Sequence, residues 1–243
     1  MELFTLEIEM DEDTVTALTD GNFALYGLRA VATSAPSGEP TIWFNTTDFG
    51  LNMSVSWVEQ YSMYTSKLKS FGQNTIIRAT NNYPASLGEV LTVTNRSGVG
   101  DVAASDEYPA YLAIDNQQTS EPFIAGICTL DPSGDYQPSG AFKLYGHNLD
   151  LFQPITKAAF FFASAPHNNG TVIQHAVTQG FLVDFTGSPG NARSVGYNIN
   201  NGWNNGGKTW GKAIAAGDAL DSVLIVHSDE LAALAAQRRV VMS

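Results

Sequence analysis

The side chains with the means to react are few and scattered. Histidine occurs at His147, His167, His175 and His227, and cysteine at Cys128 alone. None of the histidines falls in the His-Glu-x-x-His spacing that sets two imidazoles on one helix face around zinc, and one thiol cannot build a Cys-rich zinc site. His147 and Asp150, joined by a distant His175, form a set that could meet as metal ligands, but solvated or core-satisfied imidazoles are the plainer reading. Cys128 sits in the apolar run Phe-Ile-Ala-Gly-Ile-Cys-Thr-Leu, where a thiol behaves as a small hydrophobe with a raised pKa. The chain has no Gly-x-Ser-x-Gly elbow and no Gly-x-Gly-x-x-Gly. Gly206-Gly207-Lys208-Thr209 lacks the first glycine that a phosphate loop requires. Asp131-Pro-Ser-Gly-Asp135 reads as an Asp/Gly turn before it reads as a calcium loop. No pair of carboxylates stands in a setting that announces glycoside hydrolysis. No catalytic residue, metal or cofactor is assigned on these grounds, and the expectation leans away from an enzyme.

Two segments carry chemistry of recognition instead. The first is Met53-Ser-Val-Ser-Trp57-Val-Glu-Gln-Tyr61-Ser-Met63-Tyr64, large amphipathic rings among small hydroxyl residues. Trp and Tyr with one apolar and one hydrogen-bonding end suit sugar stacking and lipid-headgroup contact alike. The second is Tyr197-Asn-Ile-Asn-Asn201-Gly-Trp203-Asn-Asn-Gly-Gly-Lys-Thr-Trp210, a Gly/Asn loop that presents two indoles beside amides. The plainer reading of that loop is a hairpin turn with its tryptophans packed as a plug. The expected carbohydrate- or lipid-binding residues are Trp57, Tyr61, Tyr64, Asn200, Asn201, Trp203 and Trp210.

Composition narrows the partners. The 243 residues hold 12 Lys and Arg against 24 Asp and Glu, a formal charge of −12. Affinity for nucleic acid or an anionic membrane rests on basic clusters, and the one adjacent pair, Arg238-Arg239, sits where a closing helix dipole would favour it. Charged residues are 15% of the chain, below the ~25% usual in soluble proteins. Polar surface must therefore come from Ser, Thr, Asn and Gln, which favour strands and turns. A single cysteine forbids an intrachain disulfide, and no apolar run nears the ~18 residues of a membrane span. The opening Met-Glu-Leu-Phe-Thr-Leu-Glu has neither a basic nor an apolar leader region, so the expected location is the cytoplasm, or outside after release without a signal peptide.

The elements that must hold these segments read as strands. Phe4, Leu6, Ile8 and Met10 alternate with Thr5, Glu7 and Glu9, a half-buried strand. Asp11-Glu12-Asp13 before Thr14–Leu18 predicts a short helix. Strands are expected at 23–33, 41–44, 53–57, 75–80, 90–94 and 110–114, then at 123–129, 142–145, 158–163, 171–177, 181–185, 194–199 and 222–226. A closing helix is expected from an N-cap at Ser228, with Leu231 and Leu234 docked on the sheet. Gly, Pro and Asn-Asn clusters at short intervals give a mostly-β, antiparallel β-sandwich with a short C-terminal helix. Gly21-Asn-Phe23-Ala-Leu25-Tyr26-Gly27 returns as Gly140-Ala-Phe142-Lys-Leu144-Tyr145-Gly146, five of seven positions alike. That match suggests two related halves, 1–128 and 140–243, joined by 129–139, or a single two-sheet domain.

The expectation from these observations is a non-catalytic, cell-surface-binding protein, lectin-like or membrane-damaging. Its partner would be a surface glycan or lipid and not nucleic acid, and homo-oligomers are allowed for. A self-assembling structural protein, favoured by low charge density and strand edges, and an enzyme with a dispersed site are the alternatives.

Overall fold

The computed structural model describes residues 2–118, 122–186 and 190–241, and within the last helix not the side chains of Leu234 and 237–241. Strands dominate, numbered β1 to β19 in chain order with helices α1 to α3. They form three sheets. The first is β17 (Gly202–Asn204), β16 (Ala192–Asn198), β1 (Leu3–Glu9) and β5 (Asn52–Val58). The second and largest has β14 (Asn148–Ala163) and β2 (Ala24–Thr33) at its centre. Around them stand β4 (Ile42–Thr46), β8 (Glu89–Val93), β9 (Gly100–Ala104), β10 (Leu112–Asn116), β15 (Gly180–Asp184), β18 (Gly211–Ile214) and β19 (Ile225–His227). The third contains β3 (Gly38–Glu39), β13 (Ala141–Leu144), β11 (Phe123–Leu130), β12 (Tyr136–Pro138), β6 (Tyr61–Ser66) and β7 (Asn81–Ala85). Most pairs are antiparallel; β1–β16, β8–β10 and β2–β19 are parallel.

The layering follows from alternation along β2 and β14. Leu25, Gly27, Arg29 and Thr33 of β2 pair with Phe162, Phe160, Ala158 and Phe152 of β14, a bulge between Ile155 and Ala158 keeping them on one face. At one end of this face, Leu25, Phe160 and Phe162 pack with Phe4, Leu6, Ile8, Val55 and Trp57 of the first sheet. At the other end, Val31 and Phe152 pack with Met63, Ile127, Phe142 and Leu144 of the third. The first and third sheets thus lie side by side as one layer over the second. The opposite face of the large sheet is covered by α2 (Asp221–Leu224), through Leu224, and by α3 (Asp229–Val241), through Leu231 and Ala235.

Local rules explain the ends of elements. Asp11 caps α1 (Glu12–Asp20) by accepting the Thr14 N–H at 2.7 Å, and Gly21 closes it onto Ala17. The Ser228 hydroxyl accepts the Leu231 N–H at 3.3 Å, so α3 starts at the expected cap; Leu231 is buried, while the Leu234 side chain lies outside the described residues. Pro154 sits mid-strand in β14, facing the gap between the stretch that pairs with β10 and the stretch that pairs with β15, where its missing N–H costs no ladder bond.

Several expectations change. Residues 75–80 and 171–177 form no regular strand; their apolar Ile77, Val172 and Ile173 are buried, but the backbone pairs through isolated bridges such as Ile76 with Thr171. The apolar residues there report burial in an irregular plug. The segment 222–226 divides between α2 and β19. Every sheet takes strands from both sides of 129–139, and that segment is the end of β11, a tight turn and β12. The repeated heptapeptide occupies unlike positions: Tyr26 is buried in the centre of the large sheet, and Tyr145 is 46% exposed beyond β13.

Candidate functional site

The first aromatic segment turns inward. β5 of the first sheet passes to β6 of the third through the two residues Glu59 and Gln60. This connector lies over the seam between the two sheets, and Arg29 rises to it from β2 below. The guanidinium, 1% exposed, meets Glu59 Oε1 from Nη2 at 2.5 Å. It also lies 5.4 Å from the Trp43 ring and 5.2 Å from the Trp57 ring, where indole faces stabilise a desolvated cation. Glu59 accepts two further bonds, from Trp57 Nε1 at 3.1 Å on Oε1 and from the Tyr61 hydroxyl at 2.7 Å on Oε2. Trp43 is fixed in turn by donating to Thr129 O at 3.3 Å. Burial first, and then the Glu59 charge, push the Tyr61 phenol far above its ordinary value, so it stays a donor.

The outer side of this network opens on a cleft of about 520 Å³, lined by Glu59 and Tyr61, by Pro84 at the end of β7, by Leu87, by Glu89 at the start of β8 and by Tyr136 of β12. Glu89 is held by the Ser86 N–H, which donates to Oε2 at 2.6 Å. Leu87 stands 47% exposed at the rim. The cleft presents one immobilised carboxylate, a second carboxylate, two phenol rings and an apolar wall.

The expected binding residues fall into two places. Trp57 is buried, stacked at 5.8 Å on Phe4 and edge-on to Trp43 and Phe185. Tyr64 is fully buried and donates to Gly140 O at 2.7 Å. Neither offers a ring to an external ligand, because large amphipathic side chains here satisfy their polar ends inside the core. Tyr61, half-buried, is the one of these three expected residues that reaches the cleft, beside Glu59 and Gln60 of the same segment.

In the second segment Asn200 and Asn201 are exposed in the β16–β17 turn, whose N–H groups both donate to Asn198 Oδ1. Trp203 is half-buried, lying nearly parallel to Phe162 at 5.4 Å and Phe181 at 6.0 Å, with Tyr197 at 4.8 Å. Trp210 stacks on the Arg193 guanidinium at 5.5 Å, and Phe185 lies 5.7 Å from the same group. Arg193 is buried and spends its donors on the carbonyls of Asp184, Gly190 and Ala192. None of these residues lines the cleft, so the two segments do not converge on one site.

The residues that sequence reasoning missed are Arg29, Trp43, Glu59, Glu89 and Tyr136. Arg29 did carry a signal, a lone basic residue in the otherwise apolar Leu28-Arg29-Ala30-Val31, which must bury its charge against a partner. Elsewhere, burial pushes the Cys128 thiol up to about 12, and no metal-binding group of three His, Cys, Asp or Glu occurs among the described residues. Asp131 Oδ1 accepts the N–H groups of Ser133 and Asp135, as an Asp turn does. Compared with protein-family models, curated proteins and solved structures, the chain matches none. No helix among the described residues is long and apolar enough to cross a membrane.

Proposed function

We propose that this protein is a non-catalytic, lectin-like protein that binds cell-surface carbohydrate in the cleft beside Glu59 and Tyr61. The observation that supports this reading is the immobilised carboxylate. Three internal donors hold Glu59 in one orientation, and Oε2 keeps acceptor capacity for a sugar hydroxyl. A polar group ordered before the ligand arrives spares the entropy that binding otherwise costs. Tyr61 and Tyr136 supply rings for the C–H face of a pyranose, and Glu89 is a second acceptor. Both Glu59 oxygens already accept hydrogen bonds, which suits a fixed acceptor better than a proton donor, so hydrolysis is not part of the reading.

The test is a glycan array followed by calorimetry, with Tyr136→Ala and Leu87→Arg, the latter at an exposed rim position. Binding by the native protein that both variants abolish, with unchanged circular dichroism, is the expected result. No binding to any glycan up to about 1 mM, the weak end of useful recognition, would end the proposal.

A self-assembling structural role is the second reading. It draws on β5, the terminal strand of the first sheet, whose seven residues Asn52–Val58 include no charge and no proline. Natural edge strands are commonly guarded by Lys, Pro or a bulge. Light scattering of the native protein against Ser54→Lys tests it, since the added charge should abolish any concentration-dependent assembly.

A further inference from the structure

The charges around the cleft narrow the class of sugar. Among the described residues that line it there is no Lys, Arg or His, while Glu59 and Glu89 both do. The Arg29 guanidinium is 1% exposed and lies near two indole faces beneath the connector, where it pairs with Glu59 and offsets part of that carboxylate's charge at the Tyr61 phenol. Glu89 is offset only by a backbone N–H. Glu2, exposed at the start of the chain, adds its charge to the field at the Tyr61 phenol, and the molecule as a whole carries −12. With Glu59 matched by Arg29, the unbalanced charges near the mouth are the carboxylates of Glu89 and Glu2, and phenol rings attract cations over their faces.

We infer that the ligand is a cationic glycan, one bearing free 2-amino groups, rather than an N-acetylated or acidic one. This inference rests on the carbohydrate reading above. The free ammonium is placed to meet Glu89 at the mouth, with the ring stacked on Tyr61 or Tyr136 and a hydroxyl donated to Glu59. Acidic sugars, uronates and sulfated units, meet like charge without a compensating base, and that repulsion supplies the discrimination.

The experiment is calorimetry with three oligosaccharides of equal length: glucosamine, N-acetylglucosamine and galacturonate. At mildly acidic pH and low salt, the amine should bind best and the uronate not at all. One exposed ion pair contributes up to about fivefold in affinity. That margin should shrink as salt rises from about 0.01 M to about 1 M, where the screening length falls from about 30 Å to about 3 Å. Glu89→Gln, which keeps an acceptor for Ser86 and for a sugar hydroxyl, should lower amine binding severalfold more than it lowers binding of the N-acetylated ligand, whereas Leu87→Lys, at the exposed rim, should abolish both. Equal affinity for the amine and its N-acetyl form overturns the cationic inference while the carbohydrate reading stands. Amine binding that neither variant alters places the cation elsewhere on the acidic surface and also overturns it. No binding of any of the three, with none on the array, removes both.

Discussion

Arg29 Nη2 lies 2.5 Å from Glu59 Oε1 at the seam where the first and third sheets abut over the second. One residue comes from the centre of the large sheet and the other from the two-residue connector that carries the chain between the neighbouring sheets. The pair therefore ties all three sheets together, and Trp43, Trp57 and Tyr61 are its walls.

Breaking such a pair from either side should be costly. Arg29→Met leaves a largely buried carboxylate without its cation, and Glu59→Gln leaves a buried guanidinium without its anion; each should cost about 3–5 kcal/mol in urea unfolding. The double variant, Arg29→Met with Glu59→Gln, should cost less than the sum of the two, because neither charge is then left alone. Strictly additive costs would show that the two groups do not act as a pair.

The alkaline limb of stability is set by buried acids that stay protonated. Burial raises Tyr61, Tyr64 and Tyr197 above an ordinary value of 10.0, and Cys128 from 9.0 to about 12. A group whose folded pKa is raised contributes fully below its unfolded pKa, and its contribution is lost as pH climbs through the folded value. The melting temperature should therefore begin to fall near pH 9–10 and continue downward, with phenolate absorbance appearing only on unfolding for Tyr61 and Tyr64. Tyr61→Phe, which cannot ionise, should shallow the fall above pH 10.0. An unchanged slope in that variant would mean that Tyr61 titrates freely in the native state.

Gly27 is required by a ring. A bulge opposite Gly27 lets both Trp43 and Phe44 face the core, and a Cβ at Gly27 would overlap the Phe44 ring. Gly27→Ala should cost about 1–3 kcal/mol, the usual penalty of overpacking, read by thermal denaturation. A neutral outcome would show that Phe44 can swing aside without loss.

What was legible in the sequence follows from period. β1 and β5 alternate strictly and were readable, as were the acidic start of α1 and the cap at Ser228, because one face is apolar or one side chain does the capping. β6 was not read as a strand. Its Ser62, Thr65 and Ser66 are buried beside Met63 and Tyr64, so polarity did not mark the solvent side; Thr65 satisfies itself on Gly98 O at 2.8 Å. The cleft was half legible: Tyr61 was picked out for its ring, but Glu89 and Tyr136 join it only through the pairing of β6 with β7 and β11 with β12, contacts that no local pattern encodes.

Trp203 decides how far the exposed-ring expectation survives. Its indole lies on Phe162 and Phe181 and donates from Nε1 to Gln179 O at 3.4 Å, which makes it chiefly a half-buried closure of the core between the first and second sheets. Trp203→Ala should then cost about 2 kcal/mol, below the about 3–5 kcal/mol of a fully buried large aromatic, and should leave glycan affinity at the cleft unchanged. Asn200→Ala and Asn201→Ala, at exposed turn positions, should change neither stability nor affinity by more than a few tenths of a kcal/mol. Denaturation and calorimetry on the same samples separate the outcomes. A loss of glycan binding in the folded Trp203 or Asn variants would move the recognition surface to the β16–β17 turn, since a cleft ligand touches none of these residues.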